Sequence, residues 1–163
     1  MEAIKTEGEA WVGYLTSMMP RGGEFRSRLR TADRKERESL AWEIVAPWCD
    51  LTKDWERKPL LVVAASVARR GIDADGKLGL GTAMTFCFPK GAQDSQAVMY
   101  MKKILSSQTT VEVCDNITKV LPLLESRAPK LNYSLLTDEL WWFNRDQVLR
   151  KWAADFYKKG AGQ

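Results

Sequence analysis

Apolar residues recur at helical spacing along most of the chain. Trp11, Leu15 and Met18 fall at positions i, i+4 and i+7, so they form one stripe and predict a first helix. No stretch shows the sustained alternation of apolar and polar residues that is typical of a half-buried strand. The pattern therefore predicts an all-α protein with no sheet.

Polar residues predict where four later helices begin. Capping boxes, in which each side chain accepts from the other residue's backbone N–H, are expected at Asp33 with Glu36 and at Thr109 with Glu112. Asn132 and Asn144 are suited to cap the two helices that follow them. The inner faces expected for these helices, in chain order, are Leu40, Ala41, Ile44 and Val45; Val113, Ile117, Val120 and Leu124; Leu135, Leu136, Leu140 and Trp141; and Val148, Leu149, Trp152 and Phe156. One further helix is marked by Val98, Met101, Ile104 and Leu105.

The most apolar segment runs from about residue 54 to residue 70. Such a segment is either a central buried helix or a buried strand. Its many alanines and the ending Arg69-Arg70-Gly71 favour a helix. A glycine-rich loop is expected over residues 71–81. We therefore predict one all-helical domain, residues 1–163, with eight or nine short helices in two packed bundles, about 1–70 and 78–163.

The glycine loop resembles two ligand-binding motifs and completes neither. Residues 71–78 fit a phosphate-binding loop until Leu78, which stands where a Ser or Thr should contact magnesium. The same loop resembles a calcium site, but Gly71 and Thr82 occupy the positions of two acidic ligands. The chain has no histidine, which removes the usual catalytic triads and general bases. We therefore predict a non-enzymatic protein without a cofactor or metal.

Cysteine content and the absence of a long apolar run indicate the compartment. Cys49, Cys87 and Cys114 are far apart, so they are read as reduced thiols. The acidic beginning of the chain does not resemble a signal peptide. The longest apolar run, residues 60–68, is too short to cross a bilayer. We predict a cytoplasmic protein that makes no membrane contact.

Basic residues are concentrated between residues 21 and 37. The whole chain carries a net charge of only +4, so a polyanionic partner would have to be attracted by a local patch. Arg26 and Arg30 are one helical turn apart, and residues 26–30 are expected to be locally uncompensated, although a charge run is often only a solvated helix face. The predicted nucleic-acid-binding residues are Arg26, Arg28, Arg30, Lys102, Lys103, Arg150 and Lys151. Arg150 has an alternative partner in Asp146, and Lys158-Lys159 adds further positive charge.

Seven tryptophans are many for 163 residues. Such rings can stack on the bases of single-stranded nucleic acid. Trp141, Trp142 and Trp152, however, lie at helical spacing among leucine and phenylalanine. This arrangement favours a role in the core or in a subunit interface.

The order of these landmarks resembles that of a known family. Residues 131–143, LNYSLLTDELWWF, and residues 148–157, VLRKWAADFY, are similar to the end of the CasB small subunit of the type I-E CRISPR Cascade complex. An early helix with Trp11, the RSRLR segment at residues 26–30 and the VAPW turn at residues 45–48 occur in the same order as in that family. A buried helix and a glycine loop follow, so the resemblance spans nearly the whole chain.

Membership of that family would imply a role in antiviral defence without catalysis. Two copies would pack head to tail and contact the backbone and large subunits of Cascade. Their basic side chains would hold the hybrid of CRISPR guide RNA and target DNA and the displaced DNA strand. Base pairing would supply the sequence specificity of the R-loop. Residues 98–103 carry only Lys102 and Lys103 as basic contacts in a region that is often arginine-rich in the family.

Two other functions are compatible with the same sequence. The chain could be a helical protein-interaction scaffold whose exposed aromatic residues serve only protein contacts. An enzyme acting on nucleotides is a third possibility, although it would have to work without histidine or an intact phosphate-binding loop.

Overall fold

The computed structural model describes residues 5–158, which form nine α-helices. In chain order these are α1 (Glu7–Met18), α2 (Gly23–Leu29), α3 (Trp42–Val45), α4 (Asp54–Arg70), α5 (Leu80–Phe86), α6 (Ser95–Leu105), α7 (Thr110–Arg127), α8 (Tyr133–Trp141) and α9 (Arg145–Tyr157). The only strand-like contact within residues 5–158 is an isolated parallel bridge between Leu78 and Leu131. The predicted all-α fold without a sheet is confirmed.

Helix α4 is the centre of the molecule. All ten residues from Pro59 to Ala68 are buried, and the helix packs against α7, α8, α2 and α1. It ends at Gly71, whose φ of 63° lies in the left-handed region that glycine adopts without steric penalty. The prediction of a buried central helix, rather than a strand, is correct.

Two glycines allow neighbouring helices to approach closely. A Cβ atom on Gly8 of α1 would lie 2.0 Å from the carbonyl oxygen of Ser134 in α8. A Cβ atom on Gly81 of α5 would lie 2.3 Å from the carbonyl oxygen of Trp152 in α9. Both contacts therefore depend on the absence of a side chain.

Three of the predicted helix starts are confirmed by their cap hydrogen bonds. The Oγ1 atom of Thr109 accepts from the backbone N–H of Glu112 at 3.2 Å. The Oδ1 atoms of Asn132 and Asn144 likewise accept from the N–H groups of Leu135 at 2.9 Å and Gln147 at 3.4 Å. These caps satisfy donors that the first helical turn cannot pair internally.

The predicted helix start at Asp33 is wrong. Residues 30–37 form a series of turns, which we call the turn segment 30–37, and a 3-10 turn at Glu38–Ala41 then leads into α3. The Oδ2 atom of Asp33 accepts from Nη1 of Arg69 at 2.8 Å instead of capping a helix. A distant ion pair thus replaces the local capping box.

The predicted glycine loop ends earlier than expected. Helix α5 begins at Leu80, so only residues 71–79 connect α4 to it. The loop is fastened to the start of α8 by Asp75, whose carboxylate accepts from the N–H of Tyr133 at 2.7 Å and from the N–H and hydroxyl of Ser134 at 3.1 and 2.6 Å. The buried apolar side chains form one cluster to which residues from both ends of the chain contribute. The division into sub-bundles of about 1–70 and 78–163 stays a prediction.

Candidate nucleic-acid interface

The seven predicted binding residues lie in three places on the fold. Arg26 and Arg28 belong to α2, and Arg30 directly follows it. Lys102 and Lys103 are at the end of α6, whereas Arg150 and Lys151 are in α9. Helices α6 and α9 are in contact. The second and third groups are therefore on neighbouring helices.

Arg26 supports the fold rather than extending into solvent. Its Nε atom donates to the carbonyl of Ala68 at 2.7 Å, and its Nη2 atom donates to the carbonyl of Arg69 at 3.3 Å. These carbonyls belong to the last turn of α4, where the carbonyl of Ala68 also accepts from the N–H of the capping residue Gly71 at 3.1 Å. The guanidinium group also fills the space beside Gly71, where a Cβ atom would lie 2.9 Å from its Cζ. Arg26 therefore fixes α2 against the end of α4.

Arg28 is already paired with two carboxylates. Its Nη2 atom lies 2.8 Å from Glu24, and its Nη1 atom lies 3.1 Å from Glu43. The expectation that residues 26–30 are locally uncompensated is therefore wrong for Arg28. Glu24 is one turn away on the same helix, but Glu43 is brought close only by the fold.

Arg30 begins a group of exposed cations in the turn segment 30–37. Within residues 5–158 none of these side chains forms an ion pair; the group comprises Arg30, Arg34, Lys35 and Arg37. The neighbouring carboxylates do not neutralise them, because Glu38 pairs with Arg57 of α4 and Asp33 pairs with Arg69. Only Glu36 remains as an unpaired acid in the segment. The turn segment 30–37 therefore presents four unpaired cations against one unpaired acid within residues 5–158.

Arg69 holds the turn segment 30–37 in place. It donates from Nη1 to the carboxylate of Asp33 at 2.8 Å and to the carbonyl of Arg30 at 3.1 Å. Its Nε and Nη2 atoms form a bidentate contact with Glu125 of α7, at 2.8 and 2.7 Å. These charged contacts raise the pKa of Arg69 despite the opposing effect of its burial. A side chain of the central helix thus determines where the cations of the turn are presented.

Lys102 and Lys103 are exposed, and neither forms an ion pair within the described part of the chain. The carbonyl of Lys103 accepts from Nδ2 of Asn116 in α7 at 3.2 Å. Lys119 lies one turn after Asn116 and is also exposed. Lys119 therefore follows, by one turn of α7, a residue that contacts the end of α6.

Arg150 and Lys151 differ in their contacts. Arg150 is exposed, and its suggested partner Asp146 pairs instead with Arg145 at 3.0 Å. Lys151 lies 3.5 Å from the carboxylate of Glu139, a buried group that also accepts from Nε1 of Trp152 at 3.1 Å. Burial raises the pKa of Glu139, and the nearby Lys151 opposes that rise. Of Arg150 and Lys151, only Arg150 has no charged partner within residues 5–158. In the later basic pair, Lys158-Lys159, Lys159 lies outside the described residues.

Thiol and metal chemistry have few candidate groups within residues 5–158. Burial raises the pKa of Cys49 and of Cys87 to about 11, and it also raises that of Cys114, so none of the thiols is activated. No cluster of three potential metal ligands occurs between residues 5 and 158. Within the same range, no helix is both long and apolar enough to traverse a bilayer. That the chain is not an enzyme stays a prediction.

The fold and surface together define a basic, all-helical protein with a single buried cluster and unpaired cations in three places. The sequence matches the model of the family CRISPR-associated protein Cse2 over residues 25–157. The chain belongs to the Cse2 family. A comparison with curated proteins finds no match.

Two solved structures are similar to the chain. One is a chain of a CRISPR RNA-guided surveillance complex, with 21% identity and a TM-score of 0.69, and the match covers 93% of this chain and 92% of the other. The other is CasB from M. ruber, with 19% identity and a TM-score of 0.66, over 95% of this chain and 94% of the other. At these identities the similarity shows a shared fold.

Proposed function

We propose that this chain is a non-catalytic small subunit of a type I-E CRISPR Cascade complex and binds nucleic acid through its phosphates. Its membership of the Cse2 family and its fold, which is shared with a chain of a surveillance complex, support the assignment to such an assembly. The observation that carries phosphate binding is the group of exposed, unpaired cations in the turn segment 30–37. Arginine is suited to this role because its planar donors match phosphate oxygens.

In this role the subunit stabilises the hybrid of guide RNA and target DNA and the displaced strand in the cytoplasm. Two copies lie head to tail and contact the backbone and large subunits. Base pairing in the hybrid determines the sequence, and the subunit contributes contacts that do not depend on sequence. Its contribution is therefore to the stability of the R-loop in antiviral defence.

The structure refines which cations we propose for these contacts. Arg30, Lys102, Lys103 and Arg150 remain from the sequence analysis because they are exposed and without charged partners within residues 5–158. To them we add Arg34, Lys35 and Arg37. Arg26, Arg28 and Lys151 have partners within the protein, and we assign Arg26 to positioning the turn segment 30–37 through α4.

The salt dependence of binding tests the proposal. We expect the affinity of the full chain for a single-stranded oligonucleotide to fall linearly with salt on a log–log plot, with a slope of about −0.7 per phosphate contact. Replacing Arg34, Lys35 and Arg37 by alanine should reduce that slope by about 2. The measurement is fluorescence anisotropy between about 50 and 200 mM salt.

A charge-matched control variant separates local contacts from net charge. Lys77, Lys90 and Lys130 are exposed and lie outside the three cationic groups, so their replacement by alanine removes the same charge elsewhere. We expect this variant to keep the wild-type slope. Equal slopes for wild type and the turn-segment variant would contradict phosphate binding by the turn.

A helical protein-interaction scaffold is the second candidate function. It is favoured by large apolar side chains that remain exposed, namely Leu40, Trp42, Trp55, Phe86, Met99, Trp142 and Tyr157. Trp142 was expected in the core or in a subunit interface, and it is 66% exposed in this chain. A scaffold alone would show no nucleic-acid affinity at any salt concentration and would still associate with partner subunits.

A further inference from the structure

A cavity of about 420 Å³ opens beside the turn segment 30–37. It lies between that segment, α4 and α7, and Lys35, Trp42, Asp54, Leu61 and Asp115 contribute to its walls. Its volume is within the range of pockets that hold small organic groups. Of its lining residues, only Lys35 belongs to the phosphate contacts proposed above.

The ring of Trp42 is held in position but not covered. Its Nε1 atom donates to Glu38 at 3.1 Å, and Glu38 also pairs with Arg57. Arg57 is fixed in turn by the carbonyl of Leu51 at 2.6 Å and by Asp54 at 2.8 Å. The residue nevertheless remains 44% exposed. A fixed, accessible aromatic face is suited to stacking because little side-chain freedom is lost on binding.

Charge in the cavity is divided between its walls and its rim. Each carboxylate in the walls has a cationic partner within the protein: Asp33 with Arg69, Glu38 and Asp54 with Arg57, and Asp115 with Lys58. Positive charge without a partner in residues 5–158 enters the lining on Lys35. Arg34 and Arg37 do not line the cavity but lie within two residues of Lys35 in the turn segment 30–37, and we call these three cations the rim. An uncharged group therefore fits the interior, with an anionic group held outside it.

The exposed carboxylates in the walls also offer hydrogen-bond acceptors. The side chains of Asp54 and Asp115 are 61% and 59% exposed, so their oxygens are accessible beyond their ion pairs. Carboxylates accept from the exocyclic amino groups of nucleobases. An aromatic face, neutralised acceptors and a cationic rim together match a nucleotide whose base is unstacked.

We propose that this cavity holds an unpaired nucleobase of a single strand, stacked on Trp42, while the adjoining phosphates are bound by the turn segment 30–37. The inference rests on the proposed function and deepens it, because it names an unpaired strand, rather than a duplex, as the ligand of this site. Stacking on an aromatic side chain tolerates any base, so the site does not confer sequence specificity.

Oligonucleotides with and without bases separate stacking from phosphate binding. We compare the affinity of the full chain for a single strand and for an abasic strand of equal length at one low salt concentration. Trp42→Ala should weaken binding of the base-bearing strand about tenfold or more and leave the abasic strand unchanged. Trp42→Phe keeps an aromatic face without the hydrogen bond to Glu38, so it should retain most of the affinity and still report on stacking if the alanine variant folds poorly.

Trp55→Ala is the matched control. Trp55 is 47% exposed at the start of α4, close in sequence to the wall residue Asp54, but it does not line the cavity. We expect its replacement to change neither affinity.

Each remaining outcome overturns the proposal in a different way. If Trp42→Ala weakened the affinity for both strands equally, Trp42 would only position the phosphate-binding residues and would not stack on a base. If the wild type binds both strands equally, bases do not contribute, so the stacking proposal fails and the proposed function stands. If it binds neither strand, both the stacking proposal and the proposed function fail. If Trp42→Ala impaired only association with a partner subunit, the exposed ring would be a protein contact.

Discussion

At the scale of residues, partners inside the fold decide which cations remain available at the surface. Asp33 and Glu125 have side chains that are only 4% and 10% exposed, and both pair with Arg69. A buried carboxylate without a partner would be strongly unfavourable, so Arg69 is required where it is. Arg34 and Lys35 follow Asp33 in the chain, but its carboxylate pairs with Arg69 and they stay exposed.

Replacing Arg69 tests this division. Arg69→Met should lower the free energy of unfolding by about 3–5 kcal/mol, because it leaves two buried carboxylates unpaired. Urea denaturation measures the change. As a control, Arg28→Ala should cost less than about 1 kcal/mol, because its partners Glu24 and Glu43 are 80% and 83% exposed. Similar small losses in both variants would show that the Arg69 contacts do not stabilise the fold.

At the scale of elements, local signals were predictable from the sequence and distant contacts were not. The starts of α7, α8 and α9 are set by a side chain three residues from the N–H it caps. Such a short spacing is visible in the sequence itself. Helix α5 was missed because its cap residue, Gly79, makes no side-chain bond. The helix start predicted at Asp33 is wrong because its carboxylate accepts from Arg69, 36 residues away, instead of capping a helix.

The same distinction applies to the candidate site. The sequence predicts the basic region but not that the fold pairs the nearby Glu38 with Arg57 of α4. It also placed Arg26 on the surface, whereas the fold directs it to the end of α4. Charge balance along a chain therefore predicts where a basic surface occurs and not which of its members are available.

Two glycines of α1 allow a test of helix packing. Gly8→Ala should lower the free energy of unfolding by about 1–3 kcal/mol, because α1 and α8 must separate to admit the Cβ atom. Gly13 has nothing within 4 Å of its Cβ position, so Gly13→Ala should instead raise stability by up to about 1 kcal/mol through helix propensity. Thermal unfolding of the two variants measures both. Effects of the same sign would mean that the close approach does not restrict Gly8.

At the scale of the whole molecule, the buried side chains form one cluster that both halves of the chain share. Helix α4 of the first half packs against α7 and α8 of the second, and α1 packs against α8. Unfolding of either half would therefore expose core residues of the other. The proposed sub-bundles of about 1–70 and 78–163 should depend on each other for stability.

Cooperative unfolding follows from this arrangement. We expect a single transition in urea, with coincident midpoints for far-UV circular dichroism, which follows the helices, and near-UV circular dichroism, which follows the packed aromatic side chains. Trp11 and Trp152 are fully buried in different halves, so the near-UV signal samples both. Two separated midpoints would show that the sub-bundles fold independently.

The hydrogen bonds that Asp75 accepts from the first turn of α8 have a mechanical consequence. Because the α4–α5 loop is tied there and again by the bridge between Leu78 and Leu131, we expect it to be unable to serve as a hinge. The cations beside α2 and those on α6 and α9 then keep a constant separation. A nucleic-acid strand that touched both groups of cations would have to bend to follow the surface between them. The protein would thus impose the path of the strand, because its own shape does not adjust.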